Sequence, residues 1–121
     1  DKIDLQDGSG LSIYNLVTPR SVVELLALLK AKVGDEEALH YLFPTGGIDG
    51  TIRSAYQLDQ GKPFVWDKTG TLNSVYCQSG YVVTRTGQRL IFSFLNNSFV
   101  TAPRPIRREM VDIITYIRRN Y

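Results

Sequence analysis

Phe64-Val65-Trp66-Asp67-Lys68-Thr69-Gly70-Thr71-Leu72 decides how this sequence folds. Its Val, Phe, Trp and Thr content is that of a strand, and two runs of the same character follow, Ser74 to Thr84 and Arg89 to Asn96. Arg85-Thr86-Gly87-Gln88 supplies a hairpin turn between the last two, so three sequential antiparallel strands are predicted. Past the breakers Pro103 and Pro105, the residues Ile106, Met110, Ile113, Ile114 and Ile117 recur at helical spacing on one stripe, with Arg107, Arg108, Arg118 and Arg119 elsewhere. That pattern predicts a last helix lying on the sheet.

Working back from the strands, Pro44-Thr45-Gly46-Gly47-Ile48-Asp49-Gly50 is dense in turn formers and reads as an irregular loop before a helical turn at about Thr51 to Tyr56. Thr18-Pro19 is an N-cap followed by proline at the first helical position. The apolar residues Val22, Leu25, Leu26, Leu28, Leu29 and Val33 then cover more than one face, which predicts a helix packed on two sides and stopped near Gly34. Asp35, Glu36 and Glu37 open a short second helix, while residues 1–17 are loop-rich. The order helix, helix, loop, three strands, helix is an α+β arrangement, with no internal repeat.

Composition bounds the function. Fourteen Lys and Arg against twelve Asp and Glu leave +2 on 121 residues, 43% of them hydrophobic, which describes one ordinary soluble domain and excludes overall disorder. The longest apolar runs are about half the 20 or so residues that span a bilayer, and no signal-peptide pattern opens the chain. The sequence starts at Asp1 without Met and is read as processed or cut, so a missing targeting segment says nothing about location. One cysteine, Cys77, excludes an internal disulfide and a multi-Cys zinc site. Neither metal nor cofactor is expected.

Lys68-Thr69-Gly70 ends the first predicted strand, and each residue type has a chemical use there. An ammonium at Lys68 raises the local potential beside a serine nucleophile, and hydroxyls at Thr69 and Thr71 can donate to a substrate carboxylate. Gly70 leaves room for an extended peptide to pair with the strand edge. A lone triplet is weak; its context is not. Asp7-Gly8-Ser9-Gly10-Leu11-Ser12, the Asn15-Leu16-Val17 stretch, the Asp49-Gly50-Thr51 turn, Lys68-Thr69-Gly70-Thr71, Gly80-Tyr81 and Gly87-Gln88-Arg89 follow in one order at family-like intervals. Over nearly its whole length the chain resembles the C-terminal part of the D-alanyl-D-alanine carboxypeptidase/endopeptidase family of low-molecular-mass penicillin-binding proteins, the penicillin-binding protein 4 type, peptidase family S13.

The resemblance implies the C-terminal part of a β-lactamase/transpeptidase-like fold, with residues 1–121 a single partial domain. It implies a serine peptidase that attacks the terminal D-Ala-D-Ala amide of peptidoglycan stem peptides, is acylated by β-lactams, and works in the periplasm or cell envelope. The backbone N–H of Thr71 would be one oxyanion donor, Thr69 and Thr71 would hold the substrate carboxylate, and Leu11 and Leu72 would line the side-chain pocket. Ser9 and Gly10 are candidates for the same pocket wall. Such a site also needs S-x-x-K and S-x-N. None of Ser9, Ser12, Ser21, Ser54, Ser74, Ser79, Ser93 and Ser98 has Lys three residues on or Asn two residues on, so the isolated polypeptide is expected to be inactive. A partner in the form of the missing N-terminal part of its own chain follows.

Plainer readings compete at several positions. Asp7-Gly8-Ser9-Gly10 lacks the following helix of a phosphate cradle, and Thr18 stands where a calcium loop needs Glu, leaving structural turn and pocket wall as equal readings for Ser9. His40 reads as a surface or packed histidine, Cys77 as a small buried hydrophobe, and Trp66 as packing against a helix. The five arginines between residues 103 and 121 read as an exposed helix face; a nucleic-acid stripe is disfavoured by the small net charge, as +2 is little for that role. A non-catalytic interaction module of the same fold is the other alternative. The Arg89 to Asn96 strand is expected to leave an unpaired edge prone to self-association.

Overall fold

The structure, a computed structural model, describes residues 3–121. The chain runs α1 (Pro19–Val33), α2 (Glu36–Tyr41), a 3-10 turn (Gly50–Ile52), β1 (Val65–Leu72), β2 (Val75–Val83), β3 (Arg89–Asn97) and α3 (Pro103–Asn120). The expected order is met, with strand limits within a residue or two of the sequence reading. Thr18 caps α1 through a capping box with Ser21, and Gly34 ends the helix in the left-handed conformation, φ +70°. Asp35 caps α2 through the Ala38 N–H at 2.7 Å. Pro103 and Pro105, expected to stop the chain short of a helix, lie inside the first turn of α3, where an N–H has no intrahelical partner to lose.

The sheet is antiparallel with spatial order β1-β2-β3. Alternation along β2 sends Gln78, Gly80 and Val82 to one face and Tyr81 to the other. On the first face Val65, Val82 and Phe92 pack with Ile114 of α3 and with Ile52, Tyr56 and Phe64. On the second, Tyr81 packs with Leu26 of α1 and Leu39 of α2, and its hydroxyl donates to the Leu26 carbonyl at 2.8 Å. Helices therefore cover both faces, α3 on one and α1 with α2 on the other.

The expectation that α1 packs on two sides is corrected. Val22, Leu26, Leu29 and Val33 meet the sheet side, whereas Leu25 and Leu28 are 63% and 65% exposed. A single helix laid across β3 can offer it only one stripe, so the second stripe has no partner among the described residues. The arginines of α3 are not uniformly a solvated face either. Arg118 donates to Asp59 Oδ2 and to the Val83 carbonyl, each at 3.0 Å, and Arg107 donates to the Thr51 carbonyl at 2.6 Å.

Candidate functional site

Hydrogen bonding along β1 sets the geometry of the site. The Phe64 carbonyl accepts from Val83 N–H at 2.9 Å, so even-numbered residues of β1 pair with β2 and odd-numbered ones turn their N–H and C=O outward. Along the first part of that outer edge Pro44 to Gly46 pairs with the strand: Gly46 N–H donates to the Val65 carbonyl at 2.9 Å, and Asp67 N–H donates to the Pro44 carbonyl at 3.2 Å. The pairing is an isolated bridge centred on Thr45 and Trp66, and it ends at Asp67. From Lys68 to Leu72 the outer edge carries no further bridge among the described residues, and the backbone N–H groups of Thr69 and Thr71 face that open edge.

Every element of the Lys-Thr-Gly wall lies along this edge. Lys68 is exposed and its ammonium donates to the Thr69 carbonyl, which holds the charge over the edge. Thr69 lies on the α3 side of the sheet, where its hydroxyl shares a 2.8 Å hydrogen bond with Thr51 Oγ1. Gly70 faces Cys77 across the ladder, and a Cβ built on it would come no closer than 3.9 Å to the Cys77 Cβ. Nothing in the packing of the described residues requires a glycine there. Thr71 is exposed two residues on from Thr69.

The Asp7 loop is a self-contained structure at the far end of β1. Asp4 and Leu16 close its base through reciprocal backbone hydrogen bonds of 3.0 and 2.7 Å. Inside, Asp7 Oδ1 accepts from Ser9 N–H at 2.9 Å and from Ser9 Oγ at 2.7 Å, and these bonds hold the Asp7 carboxyl below the ordinary range. Asn15 Oδ1 accepts from Gln6 N–H at 2.8 Å while its Nδ2 donates to the Asp7 carbonyl at 3.1 Å. Ser9 thus holds the turn, with Gly10 in the left-handed region at φ +74°. Ser12, Ile13 and Leu16 then line a groove of about 310 Å³ against Leu72, Ser74 and Ser98. Leu72 is in that groove; Leu11 is 69% exposed beside it, with its successors lining the wall. The structure therefore brings Leu72 and the loop together, and sets Lys68 further back along the same strand.

Behind Lys68 lies a buried polar group that sequence reading missed. Asp67 is fully buried on the α3 face, where its Oδ2 accepts from Gln78 Nε2 at 2.5 Å, and the same Nε2 lies 2.6 Å from the Tyr56 hydroxyl. Burial pushes the Asp67 carboxyl up to about 6, against the Gln78 hydrogen bond and the nearby Arg107 and Lys68 charges. Trp66 packs as expected, its ring stacked 3.5 Å from His40 of α2. Cys77 is half-buried and burial raises its thiol, the state of an inert side chain. No cluster able to hold a metal ion occurs among the described residues.

A sequence profile of the D-Ala-D-Ala carboxypeptidase 3 (S13) family matches residues 1–117. The chain belongs to this family. It is 32% identical over 120 residues to the D-alanyl-D-alanine carboxypeptidase DacB of Haemophilus influenzae, covering 97% of this chain and 25% of that protein. It is 36% identical over 106 residues to the D-alanyl-D-alanine carboxypeptidase of Actinomadura sp., covering 84% of this chain and 19% of that one. The crystal structure of penicillin binding protein 4 from Haemophilus influenzae, solved also with a β-lactam, superposes with a TM-score of 0.77 at 30% identity, over 97% of this chain and 28% of that one. The α+β fold read from the sequence is thus that of an S13 protein, and the chain spans a quarter or less of the length of these curated relatives.

Proposed function

We propose that residues 1–121 form one partial domain carrying the Lys-Thr-Gly wall of a serine D-Ala-D-Ala carboxypeptidase whose attacking hydroxyl lies on polypeptide outside them. The observation that carries this reading is the break in edge pairing at Asp67. An extended peptide laid along Lys68 to Leu72 finds the outward N–H groups of Thr69 and Thr71, which no bridge occupies among the described residues, together with a cation and two hydroxyls on one strand. In this reading Thr69 and Thr71 hold the substrate carboxylate, the Thr71 N–H is an oxyanion donor, and Lys68 supports the nucleophile's proton relay. Gly70 gives the peptide clearance, while Leu72 with Ser9, Gly10 and Leu11 form the pocket end. The substrates are peptidoglycan stem peptides ending in D-Ala-D-Ala, the covalent inhibitors are β-lactams, and the location is the periplasm or cell envelope. The rest of the parent polypeptide covers Leu25 and Leu28 of α1. In its absence the β3 edge pairs strand to strand between copies.

The test is release of D-Ala from a peptide ending in D-Ala-D-Ala by the full-length protein. Turnover that falls by at least a hundredfold in Lys68→Ala supports the reading; full-length protein without turnover, or Lys68→Ala with unchanged turnover, refutes it.

A further inference from the structure

Two residues outside the Lys-Thr-Gly strand are tied to it in a line. Arg107 of α3 donates through Nη2 to the Thr51 carbonyl at 2.6 Å, and Thr51 Oγ1 lies 2.8 Å from Thr69 Oγ1. Arg107 is half-buried, while Thr51 is exposed and Thr69 half-exposed, so part of Thr69 is accessible to a ligand. A hydroxyl pair shares one proton between its two oxygens. If Thr69 donates to Thr51, it has only lone pairs to show a ligand; if Thr51 donates to Thr69, the Thr69 proton is free to point outward. A carboxylate accepts and never donates, so it is recognised only by the second arrangement.

We propose that Thr51 and Arg107 are positioning residues for carboxylate recognition: Thr51 donates its hydroxyl proton to Thr69 and thereby turns the Thr69 proton toward the terminal carboxylate of the ligand, and Arg107 fixes Thr51 by its carbonyl. The inference rests on the function proposed above and adds to it the means by which the wall selects an anionic terminus. The 3-10 turn that carries Thr51 is short and packs on β1 through the buried Ile52, and the Arg107 bond anchors it to α3 as well. The chain Thr51 to Thr69 to carboxylate is a run of polarised hydrogen bonds, each strengthening the next.

The experiment measures acylation of the full-length protein by a penicillin with a free carboxylate and by the methyl ester of the same penicillin. The wild type is expected to prefer the acid. Thr51→Val should slow acylation by the acid about tenfold while leaving the ester rate unchanged, Thr51→Ser should restore the preference, and Arg107→Met should reduce it in the same direction. Equal slowing of both compounds, or no change with either, overturns the proposal while leaving the proposed function standing. A wild type acylated by neither overturns both. Thr51 is exposed, so its variants keep their fold, and an unchanged melting temperature documents it for them and for the half-buried Arg107→Met.

Discussion

Gly80 of β2 and Asp67 of β1 face each other across the ladder so closely that a Cβ on Gly80 would lie 2.6 Å from the Asp67 Cα and 2.1 Å from the Trp66 carbonyl oxygen. Both obstacles are backbone, so neither can swing aside. Gly80→Ala must push β1 away from β2 just before Lys68, and a stability loss of about 3 kcal/mol or more is expected. Thermal melts of the two proteins check it.

Gly70, ten residues away in the sequence and on the same ladder, is the opposite case. Its nearest obstacle to a Cβ is the Cys77 Cβ at 3.9 Å, an ordinary contact. Alanine there should leave stability the same or raise it by about 0.5 kcal/mol, since glycine inside a strand carries an entropic cost. Acylation of the full-length protein by a β-lactam should nevertheless fall at least tenfold in Gly70→Ala, because the methyl group stands on the sheet face beside the edge along which the ligand lies and takes up the clearance glycine leaves there. Unfolding and acylation measured on one preparation separate the two effects.

Asp67 makes stability depend on pH. Oδ1 of Asp67 and Oε1 of Gln78 have no hydrogen-bond partner among the described residues, so the network holds surplus acceptors that a proton on the carboxyl would relieve. With the folded carboxyl near 6 and the unfolded one in the ordinary range near 4, the folded state binds more protons between those limits. The stabilisation is fully present below about pH 4 and is lost as pH rises through about 6, a loss of about 3 kcal/mol. Asp67→Asn should flatten that part of the profile; urea unfolding at intervals from pH 4 to 8 reads it directly.

The strands and α3 were legible because their signals are local. Alternation and a helical stripe are written within a dozen residues, and the side chains that show them, such as Val82, Phe92, Met110 and Ile114, are the ones the core buries. Lys68, Thr69, Gly70 and Thr71 were legible as a motif in the second half of a strand, which is where β1 holds them. The pairing of Pro44 to Gly46 on Val65 and Asp67 was not, because a bridge between a turn-rich loop and a strand some twenty residues on leaves no periodicity. Arg107 was read as solvated for a similar reason, since a cation on the polar side of a helix looks the same in sequence whether it meets water or the Thr51 carbonyl. Asp67 was hidden by its neighbour, a charged residue beside Lys68 whose burial only the sheet geometry reveals. On α1 the pattern reported two apolar stripes, and these residues supply a partner for one.

The most direct measurement is intact-mass spectrometry after incubation with a penicillin, on the isolated 121-residue polypeptide and on the full-length protein side by side. The isolated polypeptide should keep its unmodified mass, since none of its serines has the S-x-x-K spacing, and the full-length protein should gain one acyl group on a serine outside residues 1–121. A stoichiometric adduct on the isolated polypeptide would contradict the division of the site between this wall and a nucleophile elsewhere.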